Sequence, residues 1–241
     1  MLPDELESQH RLKSINGVFL SPSCCNPTTV MMSERRKAAL AKVIGRCGMI
    51  LIEDDIHAFL SAGIIKDYTG PVSRFLPEQS VYISGTSKPL CSGLRVAYLV
   101  FGDRFREQIH SALFNVNVKT SSLDAEIITE LMLSGKAGEI MSRKRALAGE
   151  MNELFYEFFP ARRGIGHPLS FYRWLPIRDT RRGSEVEKEL LDAGIRVYHS
   201  DRFLSGPRKD ECFLRISLAT VQEKERLREG LSILSEHVSA L

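Results

Sequence analysis

Short apolar runs, separated by polar turns, dominate the first hundred residues of the chain. Between the first two runs, Ser33 is a good N-cap for a helix over residues 33–46, in which Leu40, Val43 and Ile44 recur at helical spacing. Continuous apolar runs suit parallel strands that are covered on both faces. Strands that alternate with helices therefore predict an α/β fold, a mostly parallel sheet with flanking helices. The predicted strands cover residues 17–20, 49–52, 81–84 and 96–101.

The pattern changes in the second half of the chain. Residues 103–159 have a helical pattern with two breaks, and after Pro160 shorter strands alternate with helices. We therefore predict two domains, a larger α/β domain over residues 1–155 and a small C-terminal α+β domain over residues 156–241. Trp174 is interpreted as a core residue of the small domain. The predicted elements after Pro160 are strands at 169–175, 195–198 and 212–217 and helices at 184–193 and 221–241.

Composition excludes several classes of protein. Of the 241 residues, 43% are hydrophobic and 26% charged, which is typical of a folded globular chain and excludes disorder. The net charge of +3 is too small to indicate a nucleic-acid footprint. No run approaches the ~18 apolar residues of a membrane helix, and the polar start lacks a signal-peptide core. We therefore predict no membrane partner. The five cysteines lack a C-x-x-C spacing, which predicts a cytoplasmic protein without a metal site.

Polar side chains follow three of the predicted strands. Asn26 comes after the first strand, residues 53–57 close the second, and residues 84–88 close the third and are followed by Arg95. Open α/β sheets bind ligands at the carboxyl ends of their strands, so these side chains are candidates for one site. Hydroxyls with an arginine suit a phosphate, a desolvated lysine can form a Schiff base, and a carboxylate can hold a pyridinium nitrogen protonated. The same residue types could bind a nucleotide, so composition alone does not name the cofactor.

The order and spacing of these motifs resemble one family. Asn-Pro-Thr, then the acidic cluster EDDI after an apolar strand, then TSKPLCSGLRVAY, is similar to the fold-type I pyridoxal-phosphate enzymes of the class I/II aminotransferase family. The resemblance extends from Ser21 through Arg215 to the last helix. It is strongest to the aminotransferase-like domain of MocR-type (GntR-family) transcription regulators, and the 2-aminoadipate and aromatic aminotransferases are also similar. The first domain then corresponds to part of the large domain of a pyridoxal-phosphate transferase.

The resemblance implies cofactor-binding roles for four residues. Lys88 corresponds to the lysine that holds pyridoxal 5′-phosphate covalently and acts as the catalytic acid and base. Asp54 corresponds to the aspartate that pairs with the pyridine nitrogen, and Asn26 to the asparagine beside the phenolic oxygen and the substrate. His57 stands where the family usually has a tyrosine that contacts this oxygen; the alternative is an ordinary loop histidine.

The resemblance also implies anion-binding roles. Ser87 and Arg95 correspond to phosphate-binding positions, and Thr86 could supply the hydroxyl that is missing at Gly85, where the family commonly has Ser or Thr. Arg215 corresponds to the arginine that clamps the substrate α-carboxylate in a bidentate pair. A structural carboxylate is the alternative partner for Arg215.

Other positions depart from the family or have structural interpretations. Thr29 replaces the last glycine of the usual Asn-Pro-Thr-Gly and is expected to constrain its loop. Glu53 and Asp55 are expected to make structural hydrogen bonds. The family's N-terminal half of the large domain has no counterpart in the sequence, which predicts the C-terminal part of a longer protein.

Three functions are compatible with these residues. The first, which we favour, is a pyridoxal-phosphate-binding effector domain of a GntR/MocR-type regulator, with pyridoxal phosphate or an amino acid as ligand and DNA contacted only through a domain outside this sequence. The second is a catalytic amino-acid aminotransferase, and the third is a remnant that binds no cofactor. The resemblance also implies a homodimer.

Overall fold

A computed structural model of the chain describes residues 1–179, 181–207, 210–219 and 223–240. The chain divides into two compact units. The first comprises Met1–Cys24 and Met31–Lys144, and the second comprises Cys25–Val30 and Arg145–Leu241. The sequence-based boundary at residues 155 and 156 stays a prediction. In the described part of the chain, no helix is both long enough and apolar enough to cross a membrane.

The first unit contains a four-stranded sheet in which the strands follow one another in chain order. The first three strands are parallel, with Leu20 opposite Glu53 and Asp54 opposite Ile83, and the fourth runs antiparallel to the third. The mostly parallel α/β sheet predicted from the sequence is therefore confirmed. The strands are β1 (Gly17–Leu20), β2 (Ile50–Asp54), β3 (Ser80–Gly85) and β4 (Ala97–Phe101).

Helices accompany this sheet. The helix predicted after Ser33 is confirmed, and the Ser33 hydroxyl caps it by accepting a hydrogen bond from the Arg36 amide at 3.3 Å. Its residues Leu40 and Ile44 are fully buried and form a core cluster with Leu51 of β2. The helices are α1 (Pro3–Lys13), α2 (Glu34–Arg46), α3 (Ala58–Ser61), α4 (Arg106–Asn117), α5 (Ser122–Leu133) and α6 (Lys136–Phe158), of which α6 continues into the second unit.

The hydrophobic pattern predicts no element before residue 17, yet α1 forms there. Its signals are local: Pro3 occupies the first turn, Asp4 and Glu5 follow it, and Lys13 lies in the last turn. Acidic residues at the start and basic residues at the end favour a helix through its dipole. Only Leu6 is buried, which explains why the apolar periodicity was too weak to reveal the helix.

The second unit contains a three-stranded antiparallel sheet in the order β5-β7-β6. Its core is formed by alternate residues of the strands together with apolar residues of the helices, among them Leu154, Leu175, Leu190, Leu214 and Leu231. The small α+β fold predicted for this part of the chain is therefore present. The elements are β5 (Tyr172–Ile177), α7 (Gly183–Asp192), β6 (Tyr198–His199), β7 (Cys212–Ser217) and α8 (Lys224–Ala240).

Two strands of the second unit differ from the sequence-based bounds. The strand predicted at 169–175 starts at Tyr172, because Ser170 makes a turn: its hydroxyl accepts from the Tyr172 amide at 3.1 Å, and its carbonyl accepts from Asn152 Nδ2 at 3.0 Å. The strand predicted at 195–198 is reduced to Tyr198–His199. The predicted helix 221–241 corresponds to α8, and residues 221, 222 and 241 lie outside the described residues.

Candidate functional site

The carboxyl ends of β1, β2 and β3 lie at one edge of the first sheet because these strands are parallel. Since β4 runs the other way, its first residues lie at this same edge. The segments after β2 and β3 and the segment before β4, which contains Arg95, therefore lie at the same edge of the sheet. Six of the predicted site residues belong to these segments: Asp54, His57, Thr86, Ser87, Lys88 and Arg95. Asn26 and Arg215 belong to the second unit.

Asp54 is the last residue of β2 and is half-buried. Its Oδ1 atom accepts a hydrogen bond from the Ile56 amide at 3.3 Å. Its Oδ2 atom accepts none from the residues that the structure describes. The carboxylate is therefore held at the strand end with one oxygen available to a cation or to a protonated ring nitrogen.

The two acidic neighbours of Asp54 have structural roles, as expected. Glu53 is fully buried, and its two carboxylate oxygens accept hydrogen bonds from the amides of Val72 at 2.8 Å and Ser73 at 2.7 Å. Burial raises the pKa of Glu53 in spite of these two bonds. Asp55 accepts from the Tyr68 hydroxyl at 3.3 Å, and burial raises its pKa as well. Both carboxylates fix the backbone that carries Asp54.

Ser87 and Arg95 come together in the structure. Arg95 Nη1 donates to the Ser87 hydroxyl at 3.4 Å and to the Ser92 carbonyl at the same distance. Arg95 has a φ of 48°, a left-handed conformation that ends the short 3₁₀ turn Ser92–Leu94 and re-aims the chain into β4. A hydroxyl beside a guanidinium is a donor pair suited to a phosphate group.

Thr86 is oriented differently. Its side chain is buried, and its hydroxyl donates to the Val96 carbonyl at 2.7 Å. A hydroxyl has a single hydrogen to donate, so in this arrangement Thr86 stabilises the turn before β4 and has no hydrogen left for a phosphate oxygen. The phosphate-binding role of Thr86 stays a prediction.

Gly85 has a packing reason to lack a side chain. A Cβ atom at this position would lie 3.0 Å from Ile56 Cδ1 and 3.1 Å from its Cγ1. These distances are shorter than ordinary van der Waals contacts, so the Ile56 side chain occupies the space that a Ser or Thr would need. Ile56 therefore explains why residue 85 has no side chain and hence no hydroxyl.

Lys88 lies half-buried in the turn between β3 and β4. The Thr86 carbonyl closes this turn by accepting from the amides of Leu90 at 2.9 Å and Cys91 at 3.2 Å. The Lys144 ammonium also binds the turn, a contact that the sequence analysis did not anticipate because 56 residues separate Lys144 from Lys88. His57 is buried at the start of α3, where its carbonyl accepts from the Leu60 amide at 3.0 Å, and its predicted cofactor contact stays a prediction.

In the second unit, Asn26 and Arg215 form a direct pair. Arg215 Nε donates to Asn26 Oδ1 at 2.7 Å. The guanidinium carbon lies 4.0 Å from the centroid of the Tyr172 ring and 5.9 Å from that of Tyr198. The Nη atoms of Arg215 donate to no residue that the structure describes. They form a fork that suits a carboxylate, on a guanidinium whose orientation is already fixed.

The loop of Asn26 is fixed by Thr29. This residue is buried with a φ of 60°, a left-handed conformation that is unfavourable for a β-branched residue. Its carbonyl accepts from the His167 amide at 2.8 Å. A Cβ atom at Gly166 would lie 2.0 Å from the Thr29 hydroxyl oxygen, so Gly166 is the residue that makes room for it. The constraint expected at Thr29 is visible in these contacts.

Trp174 does not lie in the core, contrary to the sequence-based interpretation. It pairs directly with Arg215 across the sheet and points to the same face, opposite to Leu175 and Leu214. Its ring stacks on Phe213 with centroids 5.1 Å apart and meets Phe203 edge-on at 5.7 Å. Period-two alternation along β5 could have revealed this, because a buried Leu175 places its neighbour Trp174 on the opposite face of the strand. Arg215, which lies opposite Trp174, is on that face too.

A family model described as aminotransferase class I and II matches residues 3–232. The chain belongs to this family. The family predicted from the sequence motifs is therefore confirmed.

Individual relatives include both regulators and enzymes. The HTH-type transcriptional regulator YdeF of Bacillus subtilis is 29% identical, over 97% of this chain and 50% of its own length. The HTH-type transcriptional regulator YjiR of Escherichia coli is 26% identical, over 93% of this chain and 48% of its own length. The chain thus spans about half the length of the curated relatives it matches. The Pyrococcus horikoshii kynurenine aminotransferase has the same fold, with a TM-score of 0.85 at 16% identity over 98% of the chain and 60% of that structure.

Pyridoxal 5′-phosphate is the cofactor that membership of this family implies. The donor set of the first unit fits it chemically. Ser87 and Arg95 offer a phosphate-binding pair, Asp54 offers a carboxylate oxygen for the ring nitrogen, and Lys88 offers an amine on a turn between two strands. Among the described residues, no group of three His, Cys, Asp or Glu side chains could hold a metal ion. None of the five cysteines, all of which are described, forms a disulfide.

Proposed function

We propose that this chain is the pyridoxal-phosphate-binding effector region of a MocR-type (GntR-family) transcription regulator, and that its ligand is an amino acid. The observation that carries this proposal is the geometry of Arg215, whose guanidinium is held by Asn26 and Tyr172 while its Nη atoms donate to none of the described residues. A carboxylate, such as the α-carboxylate of an amino acid, suits such a fork because it can accept two parallel hydrogen bonds. The names of the relatives YdeF and YjiR support a regulatory role.

The residues of the first unit would hold the cofactor. When bound, pyridoxal phosphate would supply an aldehyde that reacts with amines and a pyridine ring that withdraws electrons. Ser87 and Arg95 would bind its phosphate, and Asp54 would keep its ring nitrogen protonated. Lys88 would supply the amine and then hold or release a proton as the bound amino acid requires.

A catalytic aminotransferase is the second candidate. The chain keeps an amine at Lys88, a carboxylate at Asp54 and a carboxylate-binding arginine at Arg215, which are the groups that amino-group transfer needs. A remnant that binds no cofactor is the third candidate. The observation in its favour is the weak phosphate site, in which Gly85 has no hydroxyl and the Thr86 hydroxyl is already bonded to Val96.

The first experiment is a titration of the purified chain with pyridoxal phosphate, followed by borohydride reduction and peptide mass spectrometry. The matched variants are Lys88→Ala and Lys42→Ala, since Lys42 is an exposed lysine of α2. We expect the label on Lys88 in the wild-type chain and in Lys42→Ala, and its loss in Lys88→Ala. A wild-type chain that takes up no label would favour the cofactor-free remnant.

A second experiment separates the regulator from the enzyme. The loaded chain is mixed with a panel of amino acids and an α-keto acid acceptor, and both the absorbance and the released keto acid are followed. A regulator should show one stoichiometric change of absorbance without sustained release. Repeated turnover would favour the aminotransferase instead.

DNA binding and self-association complete the proposal. The regulator would contact DNA through a helix-turn-helix region outside this chain, and two copies of the chain would form a homodimer. The apolar side chains of α4 support the dimer, because Leu113, Phe114 and Val116 are all more than half exposed and no residue of this helix is buried. Sedimentation velocity of the wild-type chain and of Phe114→Asp tests this association.

A further inference from the structure

Lys144 binds the turn that carries Lys88. Its ammonium donates to the Lys88 carbonyl at 2.8 Å and to the Leu90 carbonyl at 2.6 Å. Both acceptors belong to the turn between β3 and β4, whereas Lys144 lies on α6. One charged group from a long helix thus binds two carbonyls, those of residues 88 and 90, at the candidate cofactor lysine.

The position of this ammonium is energetically demanding. Lys144 is half-buried, and burial lowers its pKa; the Cys91 thiol acts in the opposite direction, and the positive charge of Lys88 adds to the lowering. A second ammonium close to Lys88 is unfavourable unless its hydrogen bonds compensate for the repulsion. Charge-assisted bonds to two carbonyls provide this compensation.

The turn has few other constraints. The amides of Leu90 and Cys91 both donate to the single carbonyl of Thr86, which fixes the amide side of the turn. The carbonyls of Lys88 and Leu90 both accept from the Lys144 ammonium. Without Lys144, these two carbonyls would lose the side-chain donor that the described part of the chain supplies, and the backbone of Lys88 would be less firmly held.

We propose that Lys144 is the positioning residue for Lys88: by clamping the carbonyls of Lys88 and Leu90, it fixes the backbone from which the Lys88 amine reaches the cofactor. The inference rests on the proposed function, because it gives Lys88 the cofactor as its reaction partner. It adds a residue that acts on Lys88 through the backbone of the turn.

The test compares three variants with the wild-type chain. Lys144→Met removes the donors, Lys144→Arg keeps a charged donor of two bonds, and Arg143→Met is the control, because it removes a charge from an exposed neighbour on the same helix. The first measurement is the rate of covalent incorporation of pyridoxal phosphate at Lys88, trapped with borohydride. The second is the affinity for 4-deoxypyridoxine 5′-phosphate, which has no aldehyde and binds only non-covalently.

We expect Lys144→Met to lower the incorporation rate by about tenfold or more, the size of effect that misplacing a reacting group produces. Its affinity for the deoxy analogue should be unchanged, Lys144→Arg should restore most of the rate, and Arg143→Met should match the wild type. Incorporation at the wild-type rate in Lys144→Met would overturn the inference. An equal loss of rate and analogue affinity would also overturn it, because it would show a general structural role.

A third measurement does not involve the cofactor. Amide hydrogen exchange at Leu90 and Cys91 should accelerate in Lys144→Met and stay slow in Lys144→Arg and Arg143→Met. Unchanged exchange in Lys144→Met would overturn the inference. If the wild-type chain incorporates no cofactor, the proposed function fails, and the exchange data alone decide whether Lys144 fixes the turn.

Discussion

Arg215 and Asn26 form a hydrogen bond of 2.7 Å although 189 residues separate them in the chain. The bond uses the Nε atom of the arginine, and its Nη atoms donate to none of the residues that the structure describes. Tyr172 limits the guanidinium further by stacking against it at 4.0 Å. Both contacts restrict the guanidinium before any ligand arrives, which is what the proposed carboxylate-binding role of Arg215 needs.

Replacing Arg215 should weaken the binding of carboxylate ligands. In Arg215→Gln, we expect a loss of about 2 kcal/mol, the size of a charge-assisted pair, or roughly a 30-fold higher Kd for amino acids. Asn26→Ala should have a smaller effect, because it frees the guanidinium without removing it. Calorimetric titration of the loaded chain measures both, and Arg196→Gln, at an exposed position in the same unit, is the control. Equal affinities for Arg215→Gln and Arg196→Gln would contradict the assignment.

The proposed phosphate site at Ser87 and Arg95 can be tested by competition with inorganic phosphate. Arg95→Ala removes the guanidinium beside Ser87 and should raise the Kd for pyridoxal phosphate by about tenfold or more, because a hydrogen bond to a charged group contributes roughly 1.5–3 kcal/mol. Inorganic phosphate should compete with pyridoxal phosphate in the wild type and much less in Arg95→Ala. The control is Arg104→Ala, an exposed arginine of the same unit. Competition that is identical in the two variants would place the phosphate elsewhere.

Gly85 and Ile56 should be energetically coupled. Gly85→Ser places a Cβ atom 3.0 Å from Ile56 Cδ1, so we expect it to lower the free energy of unfolding by about 1–3 kcal/mol, as overpacking does. In the background of Ile56→Ala, the same serine should cost much less. A double-mutant cycle from urea denaturation measures this coupling. Additive effects of the two substitutions would show that the Ile56 side chain does not restrict residue 85.

Stability of the second unit should fall in acid because of His167. Burial first, and then the charge of Arg173, lower the pKa of His167 from its ordinary 6.5 to about 4. Between these values the unfolded chain binds more protons than the native one, so the free energy of unfolding decreases as the pH falls through this range. The full contribution, about 3 kcal/mol, is present above pH 6.5 and lost below pH 4.

His167→Asn should remove this part of the pH dependence while its amide oxygen accepts from the Leu169 amide in place of Nδ1. Trp174 is the single tryptophan of the chain and lies in the second unit, so its fluorescence follows the relevant transition. Urea denaturation at pH 7 and pH 4.5 gives the difference for the wild type, for His167→Asn and for His110→Asn, an exposed control on α4. A wild-type difference no larger than that of His167→Asn would refute the expectation.

The sequence predicted the sheet, its mostly parallel order and the family, because apolar runs and motif spacing are local signals. It also indicated that Glu53 and Asp55 would be structural. It did not reveal α1, whose single buried residue gives no periodicity, or the outward position of Trp174. Both have signals in the sequence, the acidic first turn of α1 and the period-two alternation of β5, but neither follows from the apolar runs alone.

Contacts across the chain were the least predictable part of the candidate site. Lys144 binds the Lys88 carbonyl, and Ile56 fills the space beside Gly85. Gly166 leaves room for the Thr29 hydroxyl. The sequence motifs do not describe these tertiary contacts. The buried Lys37 is a similar case, because its ammonium bonds to Glu34 and to the Gly70 carbonyl, whereas a lysine on α2 would be assigned to solvent. Burying a charge requires partners that only the folded chain supplies.

The assignment of Cys25–Val30 to the second unit has a consequence for synthesis on the ribosome. Asn26 is translated long before Arg215, and its segment finds its first partner of the second unit at Gly166 and His167 and its last at Arg215. The residues around Lys88 are complete much sooner. Co-translational folding would thus form the residues proposed to hold the cofactor first and the Asn26–Arg215 pair last. A nascent chain could then bind pyridoxal phosphate before it can bind an amino acid.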